Sequence, residues 1–77
     1  MNNTRRKELC NITDLLAQAK DLLEICKDQE QEAFDNLPEG IQESERGEAM
    51  EEAVYSMDEA YDYIDNAMDS IAEATGE

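Results

Sequence analysis

From Gly47 to Thr75 the chain repeats with a period of seven, and that repeat leaves few folds open. Ala53-Val54-Tyr55-Ser56-Met57-Asp58-Glu59 is followed by Ala60-Tyr61-Asp62-Tyr63-Ile64-Asp65-Asn66, then by Ala67-Met68-Asp69-Ser70-Ile71-Ala72-Glu73 and Ala74-Thr75. Val54, Tyr61, Met68 and Thr75 take heptad position a, and Met50, Met57, Ile64 and Ile71 take d. Apart from Thr75 that seam is apolar from Met50 onward, and Ala53, Ala60, Ala67 and Ala74 stand beside it at g. Spacing of three and four residues in alternation marks a helix laid against other helices with a slight left-handed twist.

A second helical pattern comes before it. Asn3 or Thr4 is the expected N-cap of a helix from about Arg5 to Asn36. With Leu9 at a, the residues Leu9, Ile12, Leu15, Leu16, Ala19, Leu22, Leu23 and Cys26, then Ala33 and Leu37, form an a/d/g stripe. A stripe that broad has room for more than one neighbouring helix. Gln29 and Glu30 interrupt it and read as a frayed, wetter end of a bundle near a turn, with a functional polar notch as the alternative. Arg5, Arg6 and Lys7 oppose the helix macrodipole, which either an acidic neighbour, the C-terminal half of the second helix, or a solvated basic end with no fixed partner would explain.

Residues 37–44 break the pattern. Leu37 precedes Pro38, which disfavours helical geometry there, and Gly40 adds freedom. Pro38 to Gln42 suits one short helical turn, with Ile41 expected to fold inward over the bundle end. Ser44 is the expected N-cap of the second helix, from about Glu45 to Thr75 with a stop at Gly76. Gly47, at an a position, signals close backbone approach. Two helices of about 46–48 Å joined by a short break predict one all-α domain over 1–77, an antiparallel hairpin. Leu15, Leu22, Tyr61 and Met68 need more cover than one seam gives, so a homodimeric four-helix bundle is expected, with a monomeric hairpin as the alternative.

The chemistry open to such a chain is narrow. It has no His, so the common zinc sites, the Glu-x-x-His carboxylate sites and the usual acid-base and triad arrangements have no candidates. No Gly-rich phosphate loop or Cys-x-x-Cys pair occurs, and Asp58, Asp62, Asp65 and Asp69 on one straight helix cannot encircle calcium. No catalytic, cofactor or metal residue is assigned, and an enzyme is not expected. Cys10 and Cys26 lie about 24 Å apart on one helix, too far for a disulfide. Cys26 reads as a small core residue on the apolar stripe, and Cys10 falls just beside it. With no apolar run near the ~18 residues of a membrane span and no signal-peptide pattern, a cytoplasmic protein is expected.

Charge is the outlier. Twenty-one Asp and Glu against six Lys and Arg give a net charge of −15. That balance disfavours direct binding of nucleic acid or anionic membrane and favours a basic protein as partner. Residues 45–77 hold eleven of the acids against Arg46 alone, a net of −10. Glu48, Glu51, Asp58, Asp62, Asp65 and Asp69 occupy positions b and e, three or four residues apart, or about 4.5–6 Å along the axis. Phosphates along one nucleic-acid strand repeat on a similar scale. A merely solvated face that keeps the protein soluble is the competing reading, although crowded carboxylates destabilise a helix. Tyr55 and Tyr63, at b and c, are candidate contact aromatics beside the acids.

The run Gln31-Glu32-Ala33-Phe34-Asp35-Asn36-Leu37-Pro38-Glu39-Gly40-Ile41-Gln42-Glu43-Ser44-Glu45-Arg46-Gly47-Glu48, with Met50-Glu51-Glu52-Ala53 after it, resembles small acidic proteins of phage and prophage origin. The resemblance covers the middle third of the chain, implies a mobile-element context in a host cytoplasm, and carries over no active-site residue. Small acidic phage proteins of several unrelated folds inhibit nucleic-acid-binding machinery by imitating DNA, an analogy of charge and context rather than of fold. Together with the b/e stripe it implies an inhibitor of a basic host or defence protein. The alternative is a structural, assembly or regulatory protein acting through its apolar seam.

Overall fold

The computed structural model describes residues 1–76 and consists of helix α1 (Asn3–Asp35), a single turn α2 (Glu39–Gln42) and helix α3 (Glu45–Thr75). α1 and α3 run antiparallel as a rod whose Cα extents are 58 × 15 × 14 Å. Its radius of gyration of 17.3 Å exceeds the roughly 11–12 Å of a compact domain this long. The hairpin and its two long helices agree with the pattern of the sequence.

The cap of α1 differs from expectation. Asn2, not Asn3 or Thr4, is the N-cap: in extended backbone its Oδ1 accepts from the Arg5 N–H at 2.8 Å. At the other end Gln42 does work that a basic last turn would otherwise do. Its Nε2 donates to the Phe34 carbonyl at 3.0 Å and to that of Asp35 at 3.4 Å, binding terminal carbonyls of α1. Ile41 does not plug the bundle end; it is 39% exposed, because α2 turns its Gln42 side toward the helices. Ser44 is the N-cap of α3 by backbone geometry, but its hydroxyl donates back to the Ile41 carbonyl and not forward into the helix. The Gln42 backbone also lies against Gly47, where a Cβ would overlap the Gln42 carbonyl and Cα. Glycine is required there by close approach. Gly76 closes α3 in the left-handed region at φ 81°, where a residue without Cβ is unstrained.

The seam of α3 is the one its heptads predict. Met50, Val54, Met57, Tyr61, Ile64, Met68 and Ile71 are half-buried in it, and Gly47 and Thr75 are buried at its ends. Tyr61 and Met68 therefore belong to the hairpin and do not wait for another neighbour. On α1 the seam is not the a/d/g stripe. The half-buried row is Leu9, Thr13, Leu16, Lys20, Leu23, Lys27, Glu30, Phe34 and Leu37, with Ala17 alongside. Its own 4-3 spacing puts Thr13, Lys20, Lys27 and Phe34 at a and Leu9, Leu16, Leu23, Glu30 and Leu37 at d. Ile12, Leu15, Ala19, Leu22 and Cys26, also in 3-4 spacing, form a second row that faces solvent. Cys26 is thus exposed instead of being a core residue, and both cysteines are free thiols. Glu30 does not mark a frayed end but sits half-buried inside the seam.

Among the described residues no hydrophobic side chain is fully buried. The seam's polar members are satisfied locally: the Thr13 hydroxyl donates to the Leu9 carbonyl at 3.0 Å and that of Thr75 to the Ala72 carbonyl at 2.9 Å.

Candidate functional site: an acidic two-helix face

Two ion pairs cross the seam and define its sides. Lys20 Nζ meets Asp65 Oδ1 at 2.8 Å, and one heptad away Lys27 Nζ meets Asp58 Oδ1 at 3.1 Å. In each pair the residue numbers sum to 85, which gives the register of the whole hairpin. Hydrogen bonds to those aspartates are the main cause that raises both lysine pKa values above the ordinary range. The Lys20 ammonium also lies 4.9 Å from the centroid of the Tyr61 ring, within cation–π range. Both lysines stand at a on α1 and both aspartates at e on α3, so the e positions of the two helices flank the same side of the seam.

That side collects carboxylates from both helices. α3 contributes Glu48, Glu51, Asp58, Asp62, Asp65 and Asp69 at e and b, and α1 contributes Asp14, Asp21, Glu24, Asp28 and Asp35 at the same two positions. One groove between them is lined by Lys27, Asp28, Gln31, Glu51, Val54, Tyr55 and Asp58. A second, toward the open end, is lined by Cys10, Thr13, Asp14, Met68, Ile71, Ala72 and Thr75. Glu48, Glu51, Glu52, Tyr55 and Ser56 share a concave patch near the linker. Tyr55, 69% exposed, is therefore set among acids, as the sequence suggested.

Not every predicted site residue falls in place. Asp58 and Asp65 are held by lysines and serve the hairpin, which leaves Glu48, Glu51, Asp62 and Asp69 as carboxylates of α3 on this face outside the two ion pairs. Tyr63, 64% exposed, stands at c, on the opposite side of the rod from Tyr55. The acids of α1 were missed as part of this face. Their signal was present in the sequence: lysines seven apart at 20 and 27 match aspartates seven apart at 58 and 65. Arg5, Arg6 and Lys7 make no ion pair among the described residues, because the register carries them past the last turn of α3.

The reverse side is as distinctive. Among the described residues Glu8 is the only acid at positions c and g of either helix; the rest of those columns is Ile12, Leu15, Ala19, Leu22, Cys26, Gln29, Ala33 and Asn36 on α1, and Ala49, Ala53, Ser56, Ala60, Tyr63, Ala67, Ser70 and Ala74 on α3, with Arg5 and Arg46 at the ends. The rod thus has one acidic and one carboxylate-poor face. No group of His, Cys, Asp and Glu placed to hold a metal ion occurs among the described residues, and no helix there is long and apolar enough to cross a membrane. No protein-family model, curated protein or solved structure matches the chain.

Proposed function

We propose that this chain is an interaction protein whose acidic face binds a basic surface of another protein, in the manner of a DNA mimic. The observation that carries the reading is the convergence of carboxylates from two helices on one side, with Lys20 and Lys27 held in the seam and Lys7 the one lysine outside it. Packed helix axes lie about 8–10 Å apart, between the ~6 Å and ~12 Å widths of the grooves of B-DNA. Acidic columns on two helices side by side present a protein that binds duplex DNA with charge it already recognises. The phage-type resemblance suits an inhibitor of a nucleic-acid-binding host or defence protein, acting in the host cytoplasm. The working form is a homodimeric four-helix bundle, which covers the exposed leucines of α1. A second reading, assembly or regulation through the apolar row of α1, is favoured by Leu15 and Leu22, 62% and 64% exposed.

The test compares charge by place. Proteins captured from a bacterial lysate on the immobilised chain are eluted with duplex DNA and identified by mass spectrometry. D21N/D28N/D62N/D69N removes four charges from the acidic face, all at b, without touching the lysine pairs. E32Q/E52Q/E59Q/E73Q removes as many charges from the outer edges, all at f. Mimicry requires the first set to lose most of the DNA-eluted binding and its salt dependence, and the second to retain it. Equal losses would reduce the effect to net charge. If neither set alters capture, the acidic face is a solubility device and the second reading takes its place.

A further inference from the structure

We propose that the carboxylate-poor face is the seat of a second copy of this chain, placed by a two-fold rotation about an axis that lies in that face, parallel to the long axis of the hairpin. This deepens the homodimer reading above and rests on it. The face holds two columns of unlike size. On α1, Ile12, Leu15 and Leu22 make a ridge, with 44% of Ile12 exposed. On α3, Ala53, Ala60, Ala67 and Ala74 with Ser56 and Ser70 make a trough, which Tyr63 interrupts.

Rotation about that axis exchanges α1 and α3 across the interface. The ridge of each copy then meets the trough of the other, twice, as a self-complementary contact requires. Large side chains facing small ones let bundle layers interdigitate at one helix separation. A two-fold axis perpendicular to the helices instead stacks ridge on ridge and trough on trough, which forces two unequal separations. The parallel-axis rotation also keeps every residue at its own level. Leu22 then stands level with the second copy's Tyr63, since 22 and 63 sum to 85 as the ion-paired residues do. At that level the ridge meets the one large side chain that interrupts the trough, and elsewhere it meets small residues.

Charge selects the same occupant. A second chain of net charge −15 is repelled wherever carboxylates face carboxylates, and this is the side of the rod where they do not. Area suffices as well. A standard interface takes about 800 Å² from each partner, roughly one-seventh of the 5698 Å² surface of one copy. One long side of a 58 Å rod supplies that. In the resulting bundle the two acidic faces point outward on opposite sides, so each dimer offers two binding surfaces.

Sedimentation equilibrium at micromolar concentration is expected to return twice 8.7 kDa. Nitroxide labels at N11C, Q18C and E32C, one per sample in a C10S/C26A background, then report the axis, because all three positions are f and differ only in level. Equal label-to-label distances at the three positions are the expected result. A perpendicular axis makes the axial separation change by about 3 Å for each residue moved along the helix. A monomer would overturn the homodimer as a whole, whereas a dimer with position-dependent distances overturns this arrangement alone. Both outcomes are independent of whether the acidic face binds a basic protein.

Discussion

Replacing Gly47 with Ala tests the elbow of the hairpin, since the same chemical change at Gly40 has the opposite sign. In most helices Gly→Ala stabilises, by up to about 1 kcal/mol. At Gly47 the new Cβ meets backbone, with the Gln42 Cα only 2.7 Å away, against the ~3.5–4.0 Å of a relaxed carbon contact. No rotamer relieves that overlap, so α2 must withdraw by about 1 Å. The Gln42 side chain withdraws with it and loosens its bonds to Phe34 and Asp35. Overpacking of about 1–3 kcal/mol and a weakened hydrogen bond of about 1 kcal/mol outweigh the propensity gain. The net cost is about 2 kcal/mol, or roughly 8–16 °C of Tm for a chain of this size. Around Gly40 nothing lies within 4 Å, so G40A is expected to stabilise by about 0.4–1 kcal/mol. Melts of both variants and the native chain, followed by circular dichroism at one protein concentration, decide it. G47A melting at or above the native temperature would refute the argument from close approach.

The lysine pairs give two further expectations. K20L/K27L fills the seam with apolar side chains and is expected to raise Tm, because each aspartate it releases is already more than half exposed and such pairs contribute little. Polar residues at a restrict oligomer choice, so the same variant should sediment as a broader range of species; a lower Tm would mean that the pairs outweigh burial. The second concerns alkaline pH. Folding raises the pKa of Lys20 and Lys27 through their aspartate partners, so their stabilisation is complete below the unfolded value of about 10.4 and is lost as pH rises through the folded one. Urea midpoints should therefore fall more steeply for the native chain than for K20L/K27L above about pH 10.4, and parallel curves would contradict the assignment.

The architecture was legible on α3 because nothing polar enters its a and d positions before Thr75. On α1 the more regular apolar row, Ile12 to Cys26, is the one that the hairpin leaves out. Periodicity reveals how many faces a helix can pack, not which neighbour takes each. The choice on α1 follows from Lys20 and Lys27, whose ammonium groups reach Asp65 and Asp58 only if they line the seam. Once that register is known, the acids of α1 fall beside those of α3. A reading of α3 by itself finds half of the acidic face and misplaces Tyr63, since a c position is defined only relative to a partner. Ile41 was misjudged for another reason: a single helical turn has too few residues for a period to show which side faces in.

The constant residue sum across the seam also orders the events of folding. The Lys27–Asp58 pair joins residues 31 apart in the chain and the Lys20–Asp65 pair residues 45 apart. Closing the longer loop first costs only about 0.3 kcal/mol more in chain entropy, but once the inner pair has formed the outer one needs almost no further search. The hairpin should therefore close as a zipper from the elbow toward Leu9 and Thr75. Substitutions near Gly47 then slow the forward rate, and those near Leu9 mainly hasten the reverse one. Contacts that grow outward from one turn need no distant encounter, so a hairpin with no fully buried hydrophobic side chain among its described residues can still find its register quickly.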